Sequence, residues 1–254
     1  MTRTAQASKW FQCAYPKPQA EQRLFCFHYA GGGASAFNQW GKDLPDSIEV
    51  VAVQLPGRES RLFEPVFTSL QPLVEAVAAE MLPFLQEKPF VFFGHSMGAI
   101  VSYEMSRYLK QQHGIQPSHL FVSGYPGPHT YQNDDPYYVK SDADLIQDLV
   151  ELGGTPQELL ENEELMRLVL PTIRADFQVC DTYEFVEGAL LDCPLTAFGG
   201  WQDEMLTEEG MKAWGELTSG AFAMEMFEGD HFYLLETEKR DTILSHIKNC
   251  GVSK

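Results

Sequence analysis

Phe90-Val91-Phe92-Phe93-Gly94-His95-Ser96-Met97-Gly98-Ala99-Ile100-Val101-Ser102-Tyr103 is the stretch that decides the fold. An apolar run stops at Gly94, and a helical pattern begins at Met97. G-x-S-x-G between a strand and a helix is the pattern of a nucleophile elbow, a turn sharp enough to lift a serine hydroxyl clear of its own backbone. Small neighbours are required, because a Cβ at Gly94 or Gly98 would collide with the facing strand or helix. The helix start also places the Met97 N–H and the positive end of the helix dipole beside developing negative charge. The bare pattern arises by chance in about one chain in ten of this length. Ser96 therefore counts as a nucleophile only if a base and an acid follow in the right places.

The whole chain sets the limits. Its 254 residues fit one α/β domain over 1–254 with a substantial core. Hydrophobic content of 44% with 12% aromatics argues against disorder. Eighteen basic against thirty-six acidic residues leave a net charge of −18. Nucleic acid and anionic membranes are poor partners for such a chain, since both reward clustered Lys and Arg. Five cysteines, Cys13, Cys26, Cys180, Cys193 and Cys250, show neither paired nor metal-like spacing, so no metal site is expected. Met1 to Lys9 holds no apolar signal core, and no apolar run reaches membrane-spanning length. The expectation is a reduced, cytoplasmic protein, monomeric and away from membranes.

Outward from the elbow, the pattern alternates. Upstream, Arg23 to Phe27 reads as a strand running into His28-Tyr29-Ala30-Gly31-Gly32-Gly33, followed by a helical Ala34 to Trp40. Val50 to Val53 is a second strand, and Leu70 to Leu85 has helical spacing. Downstream, the elbow helix runs to about Gln112, and His119 to Gly124 is a fourth strand. The order βαβαβαβ implies a parallel sheet with helices on both faces. The alternation then breaks. From about 141 to 187 no strand is visible, and three helical stretches stand in its place. Leu145, Ile146, Leu149 and Leu152 mark the first, closed by Gly153-Gly154. Thr155 as N-cap, Pro156 at the first helical position and Glu158 in a capping box open the second. Leu165 to Ile173 forms the third, broken at Pro171. A helical insertion late in an α/β sheet reads as a lid over a site, against the plainer reading of a decoration without a gating role. Strands at Pro194 to Gly200 and Phe222 to Phe227 and a last helix ending near Cys250 complete the chain.

Reacting groups in open α/β sheets gather at the carboxyl ends of the strands. Of seven histidines, His113, His119 and His246 lie at wrong ends or on a helix surface, and His129 is in a loop. His95 is too close to Ser96 in sequence to take its proton in line, and His28 belongs to the glycine loop. His231 follows the last strand and is the base. Asp192 precedes its strand, and Asp230 adjoins His231, where neighbouring side chains diverge. Asp203 follows a strand end and is the acid. The order Ser96, Asp203, His231 matches an α/β-hydrolase fold, with Ser96 as attacking group, His231 as proton carrier and Asp203 holding the imidazole. The oxyanion donors expected are the backbone N–H groups of Met97 and of Ala30 in the glycine loop, each worth ~3 kcal/mol in the transition state.

Several segments together carry a family resemblance. They are Phe25 to Phe37, Leu55-Pro56-Gly57-Arg58-Glu59-Ser60-Arg61, Gly94 to Ala99, Leu152-Gly153-Gly154-Thr155-Pro156, Leu170-Pro171-Thr172-Ile173-Arg174-Ala175-Asp176-Phe177 and Gly229-Asp230-His231-Phe232. The chain resembles the type II thioesterases, the stand-alone editing enzymes of non-ribosomal peptide and polyketide synthesis, from about Leu24 to the last helix. The resemblance implies hydrolysis of acyl or aminoacyl thioesters from the phosphopantetheine arm of an acyl or peptidyl carrier domain. The arm belongs to the substrate, and no other cofactor is implied. The insertion would shape the acyl chamber. Two departures stand out: His28 occupies a position where the family commonly has proline, and Asp181-Thr182-Tyr183 replaces a more usual Glu-x-Tyr. Arg58 and Arg61 read either as counter-charges for an acidic carrier or, preferably, as structural ion-pair partners. Competing readings are an esterase or lipase on free small esters, an acyltransferase or cyclase using the same residues, and a catalytically dead binding subunit.

Overall fold

The computed structural model describes residues 8–131 and 135–250. Seven strands form one sheet: β1 (Phe11–Gln12), β2 (Gln22–Phe27), β3 (Ile48–Val53), β4 (Phe90–His95), β5 (Leu120–Ser123), β6 (Leu195–Gly200) and β7 (Phe222–Phe227). Their spatial order is β1-β3-β2-β4-β5-β6-β7. Strands β2 to β7 pair in parallel, and β1 joins β3 antiparallel at the edge. Every residue of β2 to β6 is buried, because helices cover both faces; hence their largely apolar runs, in which Arg23 and Glu49 are admitted as a buried ion pair. The edge strand β1 lies before Arg23, where the sequence reading begins its first strand. Two residues carry no periodicity, and their pairing with Val53 and Ala52 is a tertiary event.

Helices α1 (Asn38–Asp43) and α8 (Thr237–Asn249) cover one face through Trp40, Ile243, Leu244 and Ile247. On the other face, α2 (Leu70–Leu85) and α3 (Met97–His113) contribute Leu73, Val77, Met81, Ile100 and Leu109. Gly114, with φ +64°, ends α3. The short α7 (Glu208–Lys212) leads by a 3-10 turn into β7.

Between β5 and β6 stand α4 (Asp142–Leu152), α5 (Gln157–Leu160) and α6 (Glu163–Asp181). They share a core of their own, in which Leu145 and Leu149 meet Met166, Leu170, Ile173 and Phe177. Two local expectations fail here. The capping box does not form: Pro156 itself is the N-cap of α5, with no side-chain cap bond. The break at Pro171 is absent too, and α6 continues through it for 19 residues. Pro171 removes one helical hydrogen bond, but Leu170, Thr172 and Ile173 around it are buried, and their packing offsets the loss. Among the described residues, no helix is long and apolar enough to cross a membrane. Residues 1–7, most of the Met1 to Lys9 stretch read for a signal core, lie outside the described residues.

Candidate active site

Ser96 sits between β4 and α3 with φ +54° and ψ −120°. Among the described residues, only Glu59 shares a positive φ without being glycine. Such a conformation costs on the order of 1–3 kcal/mol and persists only where its surroundings enforce it. The enforcement is visible. The Ser96 N–H donates to the Ser123 carbonyl at 2.7 Å, tying the turn to β5. A Cβ on Gly94 would stand 1.9 Å from the Gly98 carbonyl oxygen, and one on Gly98 would stand 2.1 Å from that of Phe27. Both glycines are therefore required by backbone contact, as the elbow reading expects.

Asp203 and His231 arrive from the ends of β6 and β7. The two strand ends are stitched by Trp201 N–H to Phe227 O at 2.8 Å and Gln202 N–H to Gly229 O at 2.9 Å. This brings Asp203 Oδ2 to 2.7 Å from His231 Nδ1, with side chains 1% and 6% exposed. The other oxygen, Oδ1, accepts the Met205 N–H at 3.0 Å. A carboxylate can only accept, so Nδ1 carries the proton and Nε2 is left as the basic nitrogen. Ser96 and His231 line one cavity of about 390 Å³. The rejected carboxylates are engaged elsewhere: Asp230 accepts the Phe232 N–H, and Asp192 pairs with Lys110.

The other histidines lie elsewhere or serve other contacts, with exposed His113 against the Tyr108 ring at 6.0 Å. His119 bonds Thr196, His246 bonds Glu225 and His129 bonds Glu216. His95 is fully buried, its ring centroid 5.0 Å from that of His231, and Nδ1 lies 2.9 Å from Ser123 Oγ. Burial and the neighbouring His231 hold it neutral, well below the usual histidine range. Ser123 Oγ in turn meets Tyr233 Oη at 2.5 Å. No local sequence signal marks this buried shelf beside His231 other than the adjacency of His95 to Ser96.

The glycine loop has Ala30 in the same cavity wall as Ser96. Neither the Ala30 nor the Met97 N–H donates to a backbone carbonyl outside regular structure among the described residues. The Tyr29 carbonyl is held twice, by Gly32 N–H at 3.0 Å and by His28 Nδ1 at 2.9 Å. Because that carbonyl only accepts, His28 donates from Nδ1. Burial, reinforced by the Arg58 charge, pushes the His28 pKa down to about 4, so the ring stays neutral. His28 thus supports the loop by a hydrogen bond that proline cannot make.

Arg58 is 7% exposed and bonds Asp176 of α6 through both terminal nitrogens. Arg61 is 4% exposed, donates to Gln54 O and Glu64, and stacks 3.9 Å from the Trp10 ring. Neither guanidinium is available to an approaching acidic surface. The structural ion-pair reading holds, and the counter-charge reading is withdrawn.

The insertion supplies the apolar wall of the cavity through Leu149, Leu152, Leu159, Val169, Ile173 and Phe177; Tyr125, Tyr131 and Tyr137 line it as well. Its size and character suit a small apolar ligand with one polar end. Among the described residues, no group of three or more His, Cys, Asp or Glu is placed to hold a metal ion.

Comparison with known proteins gives the family. Residues 22–250 match the model of the thioesterase domain. The chain is 44% identical over 238 residues to the gramicidin S biosynthesis protein GrsT of Aneurinibacillus migulanus, covering 94% of this chain and 93% of that one. It is 46% identical over 230 residues to a Brevibacillus parabrevis protein called linear gramicidin dehydrogenase LgrE, with 89% and 87% covered. The structure of the type II thioesterase BorB from the borrelidin biosynthetic cluster superposes with a TM-score of 0.84 at 35% identity, over 95% of this chain and 97% of that one. A serine in a strained elbow, a parallel sheet of this order and this span of similarity lead to one assignment: the chain belongs to the thioesterase family, as a type II thioesterase and serine hydrolase of the α/β-hydrolase fold.

Proposed function

We propose that this thioesterase hydrolyses acyl or aminoacyl thioesters from the phosphopantetheine arm of a carrier domain, clearing stalled or misprimed synthases. The observation that carries the reading is the cavity shared by Ser96 and His231, walled by the apolar side of the insertion. Ser96 Oγ attacks the thioester carbonyl while His231 Nε2 takes its proton. Asp203 holds the ring by Nδ1 and stabilises the imidazolium that forms. The N–H groups of Ala30 and Met97 receive the charge that develops on the carbonyl oxygen. The thiolate of the arm leaves, protonated by His231, and an acyl-serine remains. Water then attacks with His231 again as base, releasing the acid and restoring Ser96. A thioester has a good leaving group, so these parts suffice.

The helices from 141 to 187 act as a lid that admits the arm and encloses the acyl group. One domain carries both sheet and lid. With Arg58 and Arg61 buried, docking of an acidic carrier to a chain of net charge −18 rests on the arm and apolar contacts, and turnover is expected to depend weakly on salt. A monomer in the cytoplasm completes the reading, and the five free thiols fit a reducing compartment.

Purified protein offered a panel of acyl-carrier thioesters should release free acids faster than it cleaves free small esters. A fluorophosphonate should label the native protein and leave a folded Ser96→Ala variant unlabelled. Preference for free esters would shift the reading to an esterase, and transfer products in place of acids would shift it to an acyltransferase or cyclase. Absence of labelling would indicate a binding subunit.

A further inference from the structure

One turn of α6 faces the catalytic loops with three side chains. Thr172 Oγ1 donates to the Gly57 carbonyl at 2.8 Å. Ile173 packs on Gly31, 3.0 Å from where a Cβ there would stand. Asp176, 3% exposed, uses both oxygens. Its Oδ1 accepts from Arg58 Nη2 at 2.8 Å, and its Oδ2 accepts from Arg58 Nη1 at 2.5 Å and from the Gly31 backbone N–H at 2.8 Å. Arg58 Nη1 also donates to the Gly32 carbonyl at 3.1 Å.

These bonds bracket Ala30. The peptide group that carries the Ala30 N–H is held on its carbonyl side, at Tyr29 O, by Gly32 and His28. The next peptide group is held through its own N–H, that of Gly31, by Asp176. Gly31 needs the latter grip, since its φ of +74° lets the loop turn in more than one way. A pair that only joined α6 to the loop after β3 would need no bond to the glycine loop, yet this one makes two. Glu59 adds a further tie between the same loops by accepting from Ser35 N–H at 3.1 Å.

We infer that Asp176, aided by Arg58, is a positioning residue that aims the Ala30 N–H at the oxyanion, so that the helical insertion sets catalytic geometry as well as the acyl chamber. The inference rests on the proposed oxyanion role of Ala30. It keeps α6 tied to the catalytic loops and leaves opening to α4 and α5.

The test is steady-state hydrolysis of an octanoyl N-acetylcysteamine thioester. In the double variant Arg58→Met/Asp176→Leu both charges go together, so no unpaired charge stays buried. The expected result is a fall in kcat of about 10- to 100-fold with KM nearly unchanged, the mark of a misaimed transition-state contact. A second protein carries glycolic acid in place of Gly31. The ester oxygen deletes only the bond to Asp176 and leaves the ion pair, and kcat should fall in the same way. This ester decides the matter if the double variant does not fold or the two disagree; native kcat in it overturns the inference. A third protein, with lactic acid in place of Ala30, tests the underlying reading. Native kcat there removes Ala30 from the oxyanion hole. A fall there beside native kcat in the Gly31 ester keeps Ala30 in its role and removes Asp176 alone.

Discussion

Asp203→Asn is the sharpest perturbation of the proposed chemistry, because both carboxylate oxygens have assigned partners. Oδ1 takes the Met205 N–H at 3.0 Å and Oδ2 faces His231 Nδ1 at 2.7 Å, with the side chain 1% exposed. An asparagine must choose. If its oxygen keeps Met205, its NH2 points at Nδ1, which must then accept. The proton moves to Nε2, and His231 can no longer take one from Ser96. If the amide flips, the tautomer survives, but the half-buried Met205 N–H meets a donor, at about 1–3 kcal/mol for the unsatisfied groups. The first arrangement is the cheaper and the inactive one. The same exchange in a serine protease triad lowers kcat by ~10⁴, which at 1.36 kcal/mol per decade is about 5.4 kcal/mol of barrier. The assay is hydrolysis of an acyl N-acetylcysteamine thioester, with thermal unfolding to verify the fold. A folded variant that loses less than about tenfold would refute the assignment of Asp203 as the orienting anion.

Gly98→Ala places a methyl 2.1 Å from Phe27 O and 2.9 Å from His28 O, both backbone atoms that cannot rotate away. A loss of about 3 kcal/mol or more is expected, seen as a fall in Tm of roughly 6–12 °C at this chain size; a Tm within about 2 °C of native would refute the close-approach argument. Acid sensitivity follows from two histidines held neutral, buried His28 and half-buried His119. Unfolded, His28 and His119 take up protons below about 6.5; folded, they do so only below about 4. The unfolded state therefore binds more protons between those limits. The contribution is complete above about pH 6.5 and is lost as the pH falls toward 4, by about 2 kcal/mol for His28 at pH 5 and less for the partly exposed His119. His28→Gln and His119→Gln should each lose less Tm than the native protein between pH 7.5 and pH 5. Parallel profiles would show that these rings are not held neutral.

The sheet and the elbow were legible because their determinants are local. Strands buried on both faces are apolar over most of their length, as in Phe90 to Phe93, and a turn closed by backbone contact must have glycine at 94 and 98. Asp203 and His231 were legible by a topological rule. The ends of adjacent parallel strands are neighbours, so two residues 28 positions apart in sequence meet without any local signal between them. The short edge strand, the course of α6 through Pro171 and the cap of α5 escaped for the opposite reason. Each is decided by what packs on it from elsewhere in the chain.

That distinction also bears on Asp176. In sequence it is an acidic residue between Ala175 and Phe177, beyond the helical stretch that reads from Leu165 to Ile173, where a solvated side chain is the ordinary expectation. In the fold it is buried against Arg58, 118 positions away, and against Gly31, 145 positions away. A buried carboxylate must be matched in full, and its three donors come from two loops that the sheet alone does not hold together. The insertion therefore closes a circuit: sheet to glycine loop, glycine loop to α6, α6 to the loop after β3, and back to the sheet. Removing the helices from 141 to 187 would open the chamber and also leave Arg58 buried without its partner and Gly31 without its acceptor. Hence an acyl group seated against Ile173 and Phe177 presses on the helix inferred to aim the Ala30 N–H. Chamber occupancy should accordingly alter kcat more than KM along a series of acyl chain lengths. A series in which KM alone varied would mean that chamber and loop act independently.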